Sequence, residues 1–133
     1  MKTGSYGFGT ELENISVEEA ISRVTAALSE VGFGVLTQID VDKTLQEKLG
    51  ESFRRYSILG ACHPQLALKA LKSEAQIGLL MPCNVLVQES EAGVRVSAID
   101  PDKLKYLVES LEANAVMAEA GQLLRDAIGS LQS

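Results

Sequence analysis

The chain has one histidine, two cysteines and three prolines among its 133 residues, and each scarcity removes a class of explanation. With a single histidine no Ser-His-Asp set can be argued, because every serine would have to share it. Two cysteines make a disulfide scaffold unnecessary and a reducing compartment the default. No apolar run approaches the ~20 residues of a membrane-spanning helix, and Met1-Lys2-Thr3-Gly4 lacks the apolar core of a signal peptide. Gln-, Ser- and Pro-rich tracts are missing, so disorder and linkers are poor readings of any long segment. Basic residues are outnumbered 18 to 12 by acidic ones, for a formal charge of −6. The few adjacent ones, such as Arg54-Arg55, are not interleaved with aromatics into a phosphate-tracking stripe. The expectation is a cytoplasmic protein whose partners include neither nucleic acid nor membrane.

What is present is an apolar content of 46% in a chain of modal domain length, which predicts one globular domain over residues 1–133. Residues 4–13 alternate as a half-buried strand, with Tyr6, Phe8 and Leu12 opposite Gly7, Gly9 and Glu11. Ser16-Val17-Glu18-Glu19 reads as a capping box opening a helix that stops at Gly32. A second strand holds Phe33, Val35, Thr37 and Ile39. Asp40 then caps a short helix with Val41, Leu45 and Leu49 on one face, ended by Gly50. A third strand runs from about residue 54 to 62, and Pro64 suits the first turn of the helix that follows. Ile77 to Met81 and Val85 to Gln88 look like β segments separated by Pro82. Ser90-Glu91-Ala92-Gly93 is a hairpin turn into Val94 to Ile99. Asp100-Pro101 opens a last helix to about residue 130.

The predicted order is β-α-β-α-β-α-β-β-α, an α+β two-layer sandwich with a mixed or antiparallel sheet of about five strands. The last helix poses a problem of length. About 28 residues at ~1.5 Å each span about 40 Å, further than so small a domain is wide. Either Gly121 breaks it or it packs on a second subunit, and the second option predicts a homodimer.

The candidate site lies at the cysteines, each within two residues of a proline: Cys62-His63-Pro64 and Pro82-Cys83. Cys62 sits between a strand end and a helix start, where unpaired amides and the positive dipole end favour an anion, so it is the better candidate for a reactive thiolate. His63 is a candidate helix cap, interface residue or general base for that thiol. A dithiol needs its two Cα atoms within about 7 Å. That depends on strand direction: antiparallel pairing brings both cysteines to one end of the sheet, and parallel pairing separates them. Zinc is not expected, since Cys62, His63 and Cys83 supply three ligands where a structural site wants four. No cofactor is expected either; the glycines of Gly4-Ser5-Tyr6-Gly7-Phe8-Gly9 precede a strand where a dinucleotide fingerprint must follow one. Gly7 and Gly9 instead leave one strand face bare for close approach.

The stretch from Tyr56 to Pro64 (Tyr-Ser-Ile-Leu-Gly-Ala-Cys-His-Pro), followed by Leu66-Ala67-Leu68-Lys69-Ala70-Leu71 and then by Ile77 to Val85 with its Pro-Cys-Asn, resembles domain-of-unknown-function family 302. The resemblance covers about residues 33–100, and Gly-Phe-Gly-Val at 32–35 also fits. It implies a small α+β domain, dimeric, with no activity to carry over. The resulting expectation is a homodimeric module binding a small molecule, such as a thiol or sulfur compound, through Cys62, His63, Pro64, Pro82, Cys83 and Asn84. The alternatives are a thiol-based enzyme or redox protein with Cys62 as nucleophile and His63 as base, and a structural assembly protein with inert thiols.

Overall fold

The structure, a computed structural model, describes residues 4–132. Five strands, β1 (Gly7–Glu13), β2 (Gly34–Asp40), β3 (Tyr56–Cys62), β4 (Cys83–Glu89) and β5 (Gly93–Ile99), form one sheet in the order β1-β5-β4-β3-β2, with every neighbouring pair antiparallel. Four α-helices, α1 (Val17–Glu30), α2 (Val41–Leu49), α3 (Pro64–Ser73) and α4 (Leu111–Ser130), complete the predicted order. The α+β sandwich with an antiparallel sheet is therefore the observed architecture.

The period of two decides what faces the helices. Leu12, Val94, Val96, Ala98, Val85, Val87, Leu59 and Ala61 lie on one face by register and are all buried. Against them α1 sets Val17, Ala20, Val24 and Leu28, and α4 sets Ala113, Val116, Leu124 and Ala127. The predicted cap of α1 is in place, the Ser16 hydroxyl accepting from the Glu19 amide at 3.1 Å. Glu18, one residue earlier, pairs with the Arg55 guanidinium. At α2 the expectation changes. Asp40 occupies the N-cap position without a side-chain cap bond, because its Oδ1 accepts instead from Ser57 Oγ at 2.7 Å and Gln38 Nε2 at 3.0 Å. None of the α2 residues is buried.

Two segments depart from the sequence reading. Residues 75–80 form a 3₁₀ helix, Ala75–Leu80, where a strand was predicted. The apolar residues that pack are Ile77 and Leu80, three apart, while Leu79 is 82% exposed. Three is the repeat of a 3₁₀ turn, whereas a strand would need alternation.

The long C-terminal helix is also two pieces. Pro101–Leu107 is 3₁₀, opened as expected by Asp100, whose Oδ1 accepts from the Asp102 amide at 3.1 Å. Ser110 then caps α4 separately, its hydroxyl accepting from the Ala113 amide at 2.9 Å. The break falls at Val108–Ser110 because Glu74, at the end of α3, accepts from both the Glu109 and Ser110 amides at 2.9 Å. That carboxylate satisfies donors a continuous helix would have satisfied internally. Gly121 does not break α4; it lies against Asp100, whose Oδ1 would be 2.8 Å from a Cβ at this position. The 20-residue α4 spans about 30 Å and covers its apolar face with its own chain. The excess helical length that argued for a second subunit is thereby removed. Gly9, expected to offer a bare surface, is filled in by Arg95 and Ser97 of the neighbouring β5.

Candidate functional site

Strand direction settles the placement of the thiols. Strands β3 and β4 run antiparallel with Ala61 opposite Cys83, so Cys62 and Cys83 sit at the same end of the sheet, one residue apart in register. Such a diagonal separates Cα atoms by roughly 6 Å. Both thiols are free and half-buried. Burial pushes the Cys83 thiol up to about 11, and the neighbouring Cys62 adds to the rise. The thiolate is the reactive form, so a raised value means a less reactive Cys83 at neutral pH.

His63 is the N-cap of α3. Its Nδ1 accepts from the Leu66 amide at 3.3 Å, its ring stands edge-on to Phe33 with centroids 5.4 Å apart, and its Nε2 lies 2.7 Å from where a Cβ on Gly32 would be. Gly32, at φ +91, both ends the first helical segment and makes room for the imidazole. In the neutral ring, Nδ1 as acceptor puts the proton on Nε2. In that tautomer the Nδ1 lone pair is taken by the Leu66 amide.

Behind the thiols lies a cavity of about 350 Å³. Its floor is the end of the sheet at Ala61, Cys62 and Cys83; its walls are Leu66 and Ala70 of α3, Ile77 and Leu80 of the 3₁₀ segment, and Val116, Met117 and Ala120 of α4. No Asp, Glu, Lys or Arg lines it. Pro82, preceded by a cis peptide bond, shapes the rim: its ring lies over Gly60, where a Cβ would come within 2.9 Å of Pro82 Cγ.

Of the residues singled out in the sequence, Cys62, His63, Pro82 and Cys83 line this cavity together. Pro64 is an exposed residue in the first turn of α3. Asn84 belongs to a different hollow, with Tyr6, Arg54 and Tyr56, on the opposite face of the sheet. The alternation of β4 requires this, since Asn84 follows Cys83 directly. The α4 wall was not anticipated; its only sequence signal is the apolar stripe of that helix. Among the described residues no helix is long and apolar enough to cross a membrane.

The labelling behaviour follows from these environments. In the folded protein Cys62 should alkylate first at pH 7.5, with Cys83 lagging and gaining about tenfold in rate per pH unit toward about 11. Peptide mass spectrometry after timed iodoacetamide quenching checks this; equal rates for both cysteines would contradict it.

Comparison with known proteins agrees with the architecture. The crystal structure of an uncharacterized conserved protein DUF302 from Bacillus stearothermophilus superposes with a TM-score of 0.85 at 25% identity, over 95% of this chain and 98% of that one. No curated protein matches. The family model described as Domain of unknown function DUF302 matches residues 8–131, nearly the whole described chain, and the protein belongs to that family.

Proposed function

We propose that the protein is a small-molecule-binding domain, homodimeric and cytoplasmic, whose ligand is an uncharged, largely apolar compound held in the cavity against Cys62, Pro82 and Cys83. The observation that carries this reading is a cavity of about 350 Å³ with no charged side chain on its walls. That volume falls in the range of ligand pockets. A charged ligand entering it would lose its hydration with nothing to replace it. The free thiols support a reducing compartment. Support for a dimer comes from the sheet face opposite the helices, where Ile58, Leu86 and Ile99 lie beside the exposed Tyr6 and, on the edge strand, Ile39. The same face carries Ser97 opposite Leu86 and Arg95 opposite Gln88, and a self-complementary patch of apolar and polar groups suits a two-fold interface.

Titration with the neutral fluorophore N-phenyl-1-naphthylamine tests the ligand reading. Binding should saturate at one probe per chain. Ala120→Leu, which fills the cavity from α4, should weaken binding by about tenfold or more without lowering the unfolding midpoint, as cavity filling does elsewhere. Ala67→Phe, placed at the rim, provides a second obstruction should Ala120→Leu overpack. Non-saturating fluorescence, or wild-type binding in both variants, would overturn the proposal.

A further inference from the structure

Arg54 differs from the other well-held arginines in having no acid to face. Arg55, Arg95 and Arg125 each approach a carboxylate. Arg54 makes no ion pair among the described residues, in a chain with 18 acidic side chains to 12 basic ones. It is nevertheless fixed in place. Its Nε donates to Gln88 Oε1 at 3.0 Å, and its guanidinium carbon lies 4.6 Å from the centroid of the Phe53 ring, which stands against Tyr56 at a centroid distance of 6.0 Å. Gln88 is only 5% exposed, so a buried amide orients an exposed cation. Ordering that side chain in advance removes an entropy cost that a ligand of the guanidinium would otherwise bear. The Nε bond leaves both Nη groups, the end-on fork, without a partner among the described residues.

The fork belongs to a hollow of about 370 Å³ on the helix-free face of the sheet. Strand register places its parts: Tyr56 is opposite Gln88, Leu86 opposite Ser97, and Ile99 opposite Gly7. Gly7 brings no side chain to its row and Ser97 only a small one, while Leu86 and Ile99 give apolar walls, Tyr6 and Tyr56 give aromatic ones, and no Asp or Glu is on the lining. We infer that this hollow binds an aromatic monocarboxylate, with the carboxylate on the Nη fork of Arg54 and the ring against Tyr6, Tyr56 and Leu86. Planar, bidentate recognition of a carboxylate is what guanidinium geometry favours. One guanidinium balances one negative charge, which suits a carboxylate better than a phosphate near its second ionisation. The aromatic body follows from the tyrosines, whose rings offer flat apolar area with a polar tip. The site lies across the sheet from the uncharged cavity and stands without that reading.

Titration with the fluorescent acid 1-naphthoate tests the site, with the uncharged 1-naphthalenemethanol as its matched control. Naphthoate should bind at one per chain and about tenfold or more tightly than the alcohol. Arg54→Gln should lower naphthoate affinity by about tenfold or more and leave the alcohol unchanged, and Arg54→Lys, which keeps the charge without the fork, should fall between the two. Inorganic phosphate at constant ionic strength should not displace the probe. Arg54 is exposed, so these changes leave the core untouched, and circular dichroism confirms the fold. Four results would each overturn the site: equal affinity for acid and alcohol, wild-type affinity in Arg54→Gln, displacement of naphthoate by phosphate, or no naphthoate binding by a protein whose dimer, read by light scattering, is lost in Arg54→Gln. The last would assign the fork to a carboxylate of the second copy. Naphthoate should also leave bound N-phenyl-1-naphthylamine in place, so failure of this site and failure of the cavity reading are distinguishable.

Discussion

Replacing Arg125 by methionine is expected to lower the free energy of unfolding by about 2–3 kcal/mol, measured by urea denaturation with an unchanged slope. Asp100 directly follows β5, and its side chain is only 1% exposed. Its Oδ2 receives Arg125 Nη2 of α4 at 2.5 Å, its Oδ1 receives the Asp102 amide, and its own amide donates to the Tyr6 carbonyl at 2.9 Å. One carboxylate thus ties the sheet, the 3₁₀ turn and the last helix together. Removing the guanidinium leaves that carboxylate buried and short of its cationic partner. Loss of one member of a fully buried pair costs roughly 3–5 kcal/mol, and the value is reduced here because the Arg125 side chain is 48% exposed. The guanidinium also lies 4.4 Å from the centroid of Phe8, so its loss loosens β1 as well. The double variant Asp100→Asn with Arg125→Met should recover part of the loss, because the unpaired charge is gone. A single-variant loss below about 0.5 kcal/mol would place the pair among ordinary surface ion pairs.

The second large effect is expected at Gly93, where alanine should cost about 3 kcal/mol. A Cβ there would run into the carbonyl oxygen of Leu12 and come within 3.1 Å of the Glu13 Cα, both backbone atoms of β1. A side chain could rotate aside; a paired strand has to move as a whole, and its register with β5 would suffer. Gly129 supplies the contrast. It lies inside α4 with nothing within 4 Å of its missing Cβ, so Gly129→Ala should raise stability by about 0.5 kcal/mol through helix propensity and a less free unfolded chain. Paired thermal or urea melts decide the question. Equal effects at the two positions would show that neither the close approach of β1 nor helix propensity has been read correctly.

Much of the architecture could be read from the sequence because its signals are local. Ser16, Gly32, Gly50, Pro64, the Ser90–Gly93 turn and Asp100-Pro101 all stand where elements begin or end. The misreadings have nonlocal or ambiguous causes. The run Ile77 to Met81 is short and apolar, and such a run carries no periodicity to separate a strand from a buried turn. The interruption at Val108–Ser110 depends on Glu74, a carboxylate some 35 residues earlier that no local pattern connects to it. At the site, Cys62, Pro82 and Cys83 lie on the cavity wall and Pro64 does not, and the cavity behind them is made by α3 and α4 meeting over the sheet end. Adjacent sequence cannot show that meeting. Asn84 was grouped with Cys83 by nearness in the chain, although alternation along a strand sends neighbours to opposite faces.

The position of β1 at the sheet edge, bonded to β5 alone, has a consequence for the order in which the molecule is made. Gly7 pairs with Ile99, so β1 leaves the ribosome about ninety residues ahead of the strand that pairs with it among the described residues. The strands β2 through β5, joined by neighbouring antiparallel pairings, are able to assemble beforehand. During translation at about 5–20 residues per second, β1 therefore spends several seconds as an unpaired segment. Its charged Glu11 and Glu13 and its glycines at 7 and 9 are features that keep such a segment from pairing elsewhere. Closure of the sheet, and with it the Asp100 junction, comes late and brings the two ends of the chain together, where Gln132 donates to Thr10 at 2.6 Å.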